Sequence, residues 1–238
     1  MFLKGNNMHK KNISKKDSCE KQVDQMSRNS ETRNSIIDAA LYLFHIKGFH
    51  ATSVRDISAR AGVNSANISY YFKNKNGLLE HCLTSFLDEY LQLIEHHLET
   101  LFIAGPEGCL RSLIKEILAF QRSNHLAARF VYGELSFDSS LNREILSTYW
   151  TKEKYYLTTI LEAGVEGGVF RKVSPPMFIL QLKGLLTAPL LHAHYSMEVL
   201  YQFPQEEFFT AKYLDEIYEY MDHHILNPYI RIAAGMHG

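Results

Sequence analysis

Apolar residues recur at intervals of three and four over most of this chain, and nowhere do apolar and polar residues alternate for more than a few positions. That periodicity predicts helices throughout and an all-α fold. The first strong face is Ile36, Ile37, Ala40, Leu41, Leu43 and Phe44. It sits on a helix that opens near Ser30, with Glu31 in its first turn, and closes at Gly48 after Lys47. A short helix is predicted from Val54 to Arg60, broken by Gly62, and a third from a cap at Asn64 or Ser65 to near Phe72. Asn74, Lys75 and Asn76 open a long fourth helix, roughly 76–102, with Leu78, Leu79, Leu83, Phe86, Leu87, Tyr90 and Ile94 along one side.

Gly105-Pro106 and Gly108 separate that helix from one at about 109–123, and Asn124 precedes another at about 125–136. A long helix opens at Ser139 or Ser140 and runs toward Gly164. Pro175 and Pro176 mark the next start, and Met177 to Leu191 follows, with Pro189 expected to kink or end it. The last predicted helix runs from Gln205 to Leu226. The chain therefore reads as nine or ten helices without internal repeats. Residues 1–28 contain Lys10, Lys11, Lys15, Lys16 and Lys21 but no sustained apolar period, which predicts a disordered basic arm. Residues 29–76 form the first helical domain and 77–230 a larger helical body.

Two short helices joined by the tight Ala61-Gly62 turn have the layout of a helix-turn-helix, which lays its second helix in the major groove of duplex DNA. Ile57, Ala61, Val63 and Ile68 supply its apolar interior. The opposite face then carries the readout: Ser65, Ala66, Asn67, Ser69 and Tyr70 face the groove. Asn67 is suited to an adenine edge and Ala66 to a thymine methyl. Arg55 can reach a guanine or a phosphate. Thr52, Ser53, Tyr71 and Lys75 are suited to phosphate contact through hydroxyls, charge and the adjoining helix N-terminus. Three consecutive helical positions cannot all face one core, so Phe72 is assigned to the interior and Tyr70 and Tyr71 to the surface.

Thr52, Val54, Ile57, Ala61-Gly62-Val63, Tyr71-Phe72, Lys75 and Leu78 resemble, in kind and spacing, the N-terminal domain of TetR-family regulators. Ser69 stands where that family usually has a tyrosine. The resemblance implies a homodimer on a near-palindromic double-stranded DNA site. It also implies a variable C-terminal domain that dimerises through its last two helices and often encloses a small-molecule ligand. Longer segments, ISYYFKNKNGLLEH, ARFVYGELSFDSSLNREILSTYWTKEKY and FILQLKGLLTAPLL, resemble a TetR-like branch from Bacillus that influences assembly of the division protein FtsZ. That second resemblance implies FtsZ as a partner and a regulator of cell division acting from chromosomal sites; a ligand-responsive transcriptional repressor is the alternative.

Charge sharpens this picture. The net charge is −1, yet residues 1–80 hold 13 Lys and Arg against 7 Asp and Glu, and residues 81–238 hold 12 against 19. A basic head on an acidic body fits a head that approaches phosphates. In the body, Arg129 and the Arg143-Glu144 pair interrupt apolar helices and are candidate partner contacts. Tyr132, Phe137, Tyr149, Trp150, Tyr155, Phe178 and Leu182 could line a pocket, but aromatic residues at helical spacing more often pack a core. The 12 histidines include His96-His97, His223-His224 and His192-Ala-His194. Adjacent helical histidines diverge by roughly 100°, so no metal site is expected. There is no Gly-rich phosphate loop, nucleophile elbow or His-Glu-x-x-His, so neither enzymatic chemistry nor a cofactor is expected. Three cysteines without metal-ligand spacing and the lack of a long apolar run predict a cytoplasmic protein with no membrane partner, and the DNA-binding reading makes it nucleoid-associated.

Overall fold

The computed structural model describes the backbone of residues 6–135 and 140–228, and the side-chain surroundings of residues 27–228 apart from 136–142 and 146. Phe137 and the lysines at positions 10–21, singled out above, lie outside the residues whose side chains are described. Ten helices are present among the described residues: α1 (Asn6–Lys47), α2 (Val54–Ala61), α3 (Ser65–Phe72), α4 (Lys75–Glu99), α5 (Leu101–Ser123), α6 (His125–Glu134), α7 (Ser140–Glu166), α8 (Pro175–Leu191), α9 (Ala193–Glu198) and α10 (Glu207–His224). The chain divides into two compact units, Met1–Leu79 and Glu80–Gly238.

In the first unit, α1 begins well ahead of Ser30, so position 28 is not an element boundary. No Gly or Pro interrupts residues 6–47, and Lys, Gln and Glu are frequent there. A helix nucleated by its packed C-terminal half extends upstream through such residues at little cost. That half carries a buried face: Ile36, Ala39, Ala40, Leu43 and Phe44. Ile57 of α2, Ile68 and Phe72 of α3, and Leu78 and Leu79 at the start of α4 are also buried and complete the core of the head. Burying each of these large side chains contributes about 1.5–3 kcal/mol.

In the second unit, Ile94, Leu110, Leu113, Ile114, Ile117, Leu157, Ile160, Leu182, Ile217 and Met221 form one core shared by α4, α5, α7, α8 and α10. The break expected at Gly105-Pro106 is a kink inside α5: Gly105 has φ 70° and ψ 168°, and Pro106 starts the next turn. Pro189 lies inside α8 without ending it. Between the last two long helices lies the short α9, six residues long. Below α7, Arg171 N–H donates to the Ile225 carbonyl at 2.8 Å and Asn227 N–H to Val169 at 2.9 Å, an isolated antiparallel bridge that pins the end of α10.

A polar cluster interrupts this core. Glu153 is 2% exposed. Its Oε1 accepts from the Tyr90 hydroxyl at 2.7 Å and its Oε2 from Lys183 Nζ at 2.6 Å. The Lys183 ammonium also lies 4.8 Å from the Trp150 ring centroid. The cluster joins α4, α7 and α8, and the charge of Glu153 is tolerable there only because both carboxylate oxygens are satisfied. Burial and the adjacent Glu153 charge raise the Tyr90 hydroxyl well above its ordinary pKa. Among the described residues no helix is long and apolar enough to cross a membrane, and no group of three His, Cys, Asp or Glu could hold a metal ion.

Candidate nucleic-acid interface

The α2–α3 pair is shaped by local signals. Ser53 caps α2: its Oγ accepts from Asp56 N–H at 3.1 Å, and Ser53 N–H donates to Asp56 Oδ2 at 3.0 Å, a reciprocal capping box. The backbone and hydroxyl of Ser53 hold the Asp56 carboxyl below its ordinary pKa, with Lys47 adding a smaller pull. Gly62 stops α2 at φ 67°, a left-handed conformation that glycine adopts without steric cost, and Val63 N–H returns to the Ser58 carbonyl at 3.0 Å. Asn64 rather than Ser65 caps α3, accepting from Ala66 N–H at 2.9 Å.

This frame sorts the side chains of α3. Ile68 and Phe72 point inward and are buried. Ser65, Ala66, Ser69 and Tyr70 are exposed, Tyr70 to 77%, and Asn67 is half-buried at their edge. Four of the five residues assigned to the groove therefore share one open face. Arg55 and Ser53 are exposed at the start of α2. Tyr71 is half-buried; its ring meets that of Tyr70 edge-on at 4.9 Å, and its hydroxyl donates to Asn29 Oδ1 at 3.2 Å.

Two phosphate assignments change character. Thr52 is 1% exposed, and its hydroxyl donates to the Gly48 carbonyl at 2.8 Å and faces that of Leu43 at 3.3 Å. Its side chain closes the α1–α2 loop and does not present a hydroxyl to solvent. Lys75 donates from Nζ to the carbonyls of Phe49 at 3.0 Å and Thr52 at 2.9 Å, and its ammonium lies 4.3 Å from the Phe49 ring centroid. An ammonium has three donors, so this clasp occupies two of them. Lys75 therefore fastens the start of α4 to the loop before α2.

The turn between α3 and α4 is unusually tight. Asn74 N–H donates to the Phe72 carbonyl at 2.8 Å across Lys73, which sits at φ 66° and ψ −54°. This is a γ-turn with positive φ, a conformation strained for a residue with a Cβ. Asn74 Oδ1 then accepts from Gly77 N–H at 2.9 Å. A Cβ on Gly77 would stand 2.1 Å from the Phe72 carbonyl oxygen, so only glycine fits. The turn leaves Lys73 exposed directly beyond the Ser69–Tyr70 face. The sequence reading omitted Lys73; the only signal for it was a second lysine beside Lys75, and sequence cannot say which of the two the fold consumes.

In the body, Arg129 is half-buried on α6, while Arg143 and Glu144 are exposed on α7. They lie on separate helices, and no contact joins Arg129 to the other two among those described. Phe178 and Leu182 are core residues and Tyr155 is 64% exposed, so the candidates among the described residues do not line a common pocket.

A three-helix head with this capped turn and open second helix defines a helix-turn-helix DNA-binding protein. Residues 36–82 match the bacterial regulatory proteins of the tetR family. Over 186 residues the chain is 43% identical to the "Probable HTH-type transcriptional regulator YttP" of Bacillus subtilis (strain 168), covering 78% of this chain and 90% of that protein. It is 28% identical over 154 residues to the "HTH-type transcriptional repressor KstR2" of Rhodococcus jostii (strain RHA1), covering 63% and 72%. Among solved structures, KstR2 of Mycobacterium tuberculosis superposes with a TM-score of 0.68 at 17% identity, covering 82% of this chain and 95% of that one. PfmR of Thermus thermophilus superposes at 0.63 and 23%, covering 76% and 94%. The chain belongs to the TetR family of DNA-binding transcriptional regulators.

Proposed function

We propose that this protein is a dimeric transcriptional repressor that reads its operator with α3 and is released by a small molecule bound in the helical body. The exposed Ser65–Ala66–Ser69–Tyr70 face, with Asn67 at its edge, carries the reading. It offers hydroxyl, methyl, amide and phenol groups to base edges on a rigid, capped helix. Arg55, Ser53, Tyr71 and Lys73 supply the phosphate contacts around it, while Thr52 and Lys75 act chiefly by holding the helices in register. Exposed Met177, Leu180 and Leu191 on α8 and Phe208 on α10 support pairing of these helices with a second copy. Two α3 helices then meet successive major grooves about one DNA turn apart. The relative named as a repressor supports repression over activation. A genome-wide map of bound sites tests the reading: sites overlapping promoters are expected, and a map without promoter enrichment refutes it.

A second reading is regulation of FtsZ assembly, as in the Bacillus protein RefZ, which the body segments resemble. It rests on that resemblance alone; the Bacillus subtilis relative matched over 90% of its length is named as a transcriptional regulator. In this reading Arg129, Arg143 and Glu144 are the candidate partner contacts. Sedimentation of FtsZ with and without the protein and its DNA site decides it. An unchanged polymer yield in both conditions removes it.

A further inference from the structure

Pro189 has no N–H, so the carbonyl of Leu185, one turn earlier in α8, loses its intrahelical donor. The Tyr213 hydroxyl of α10 donates to that carbonyl at 2.8 Å. With the defect sealed, α8 continues to Leu191, the chain turns through α9, and residues 199–206 lead back into α10. Between these elements lies a cleft of about 480 Å³. One wall is the Phe209–Tyr213 pair, stacked at 5.3 Å with an interplanar angle of 17°. Ala188, Pro189 and Leu200 add apolar surface, and His192, Lys212 and Glu216 stand among the lining residues. A cleft of this size and lining matches small-molecule sites, which fall in the range of about 300–1,000 Å³ and are mostly apolar with a few polar groups.

Pro189 and Phe209 also line a second, smaller cavity of about 20 Å³, together with Arg122 and His125. The Arg122 Nε is buried without a hydrogen-bond partner. Its Nη1 lies 3.8 Å from Glu207, a carboxylate whose side chain is 83% exposed. Burial, and then the charge of Arg129, hold the His125 imidazole below its ordinary pKa. A cavity of that size holds about one water or one ligand oxygen. An apolar cleft against stacked rings, adjoining an orphaned guanidinium N–H, is built for a molecule with an aromatic body and an acidic group.

We infer that the α8–α10 cleft binds a flat, mainly apolar organic anion, its body against Phe209 and Tyr213 and an anionic oxygen accepting from Arg122 Nε. The inference deepens the ligand-responsive reading and rests on it only for the effect on DNA. Two probes test it on the full-length protein without DNA: 8-anilinonaphthalene-1-sulfonate, and N-phenyl-1-naphthylamine, the same body without the sulfonate. The anionic probe is expected to bind saturably, one per chain, and at least tenfold tighter than the neutral one. Ala188→Leu, which fills the cleft, abolishes both signals. Arg122→Gln weakens the anionic probe about tenfold and leaves the neutral probe unchanged. Thermal melts establish that each variant folds.

Equal affinity for the two probes, or an anionic signal indifferent to both substitutions, overturns the site. So does a signal confined to dilute monomer and absent from the dimer, which assigns the cleft to a second copy of the chain. Anisotropy of labelled operator DNA is read separately. Probe binding that leaves operator affinity unchanged keeps the site and removes its effector role; loss of probe binding leaves the DNA reading standing.

Discussion

Replacing Lys75 with Met separates a frame residue from a DNA contact. The thioether keeps most of the side-chain stem and its packing but deletes the ammonium. Three interactions disappear: the hydrogen bonds to Phe49 and Thr52 and the contact with the Phe49 ring. Hydrogen bonds from a charged donor contribute about 1.5–3 kcal/mol each when dry. Lys75 is half-buried and water can replace part of them, so about 1 kcal/mol each is the appropriate scale. The cation–ring contact adds about 0.5–1 kcal/mol. The head should lose about 2.5–3 kcal/mol, a fall in Tm of roughly 5–12 °C. Lys73→Met is the control, because Met meets the same backbone strain at φ 66° while the clasp stays intact. It should leave Tm unchanged and flatten the slope of log K against log salt by about one. Calorimetry and salt-dependent DNA titration of the two variants read both quantities. If Lys75→Met melts like the wild type and Lys75, not Lys73, carries the salt slope, the division of labour argued from the structure is wrong.

Other expectations follow from the same geometry. Gly77→Ala drives a methyl into the Phe72 carbonyl and should cost about 3 kcal/mol or more, read as a lowered urea midpoint; an unchanged midpoint means the α3–α4 turn relaxes freely. Glu153→Ala strands Lys183 and Tyr90 and should destabilise the body by about 3–5 kcal/mol; a value below about 1 kcal/mol means the cluster is well hydrated. Because Tyr90 is raised above the unfolded tyrosine value near 10, its contribution is intact below about pH 10 and is lost as pH rises past it. Urea midpoints should therefore drop above that pH in the wild type and less in Tyr90→Phe, and parallel curves would contradict the assignment. Asn67→Ala should blur discrimination at one base pair by about 1–3 kcal/mol without changing Tm; unaltered affinity and preference would show that α3 meets the groove in another orientation.

What could be read from the chain was local. The Gly62 break, a cap at Asn64 or Ser65 and the Ile57–Ile68–Phe72 interior depend on residues within a turn or two of one another, so the helix-turn-helix was legible in the sequence; the Ser53–Asp56 capping box and the choice of Asn64 as cap came from the structure. The Leu78–Ile94 face of α4 was equally plain, since all of its residues repeat at helical spacing and all are buried. Allocation of shared chemistry was not legible. Lys73 and Lys75 are the same residue type two positions apart, and Thr52 and Ser53 are adjacent hydroxyls. Which of each pair turns inward depends on carbonyls at Gly48 and Phe49 that only the folded loop brings near. The body follows the same division. Sequence announced Pro189 as a helix breaker, yet tertiary packing kept the helix whole, because Tyr213, 28 residues away along the chain at the Leu185 carbonyl, supplies the donor that proline lacks. Local propensity decides where helices start and stop; the hydrogen-bond partners that convert a defect into a cleft come from distant segments, and no short window of sequence contains them.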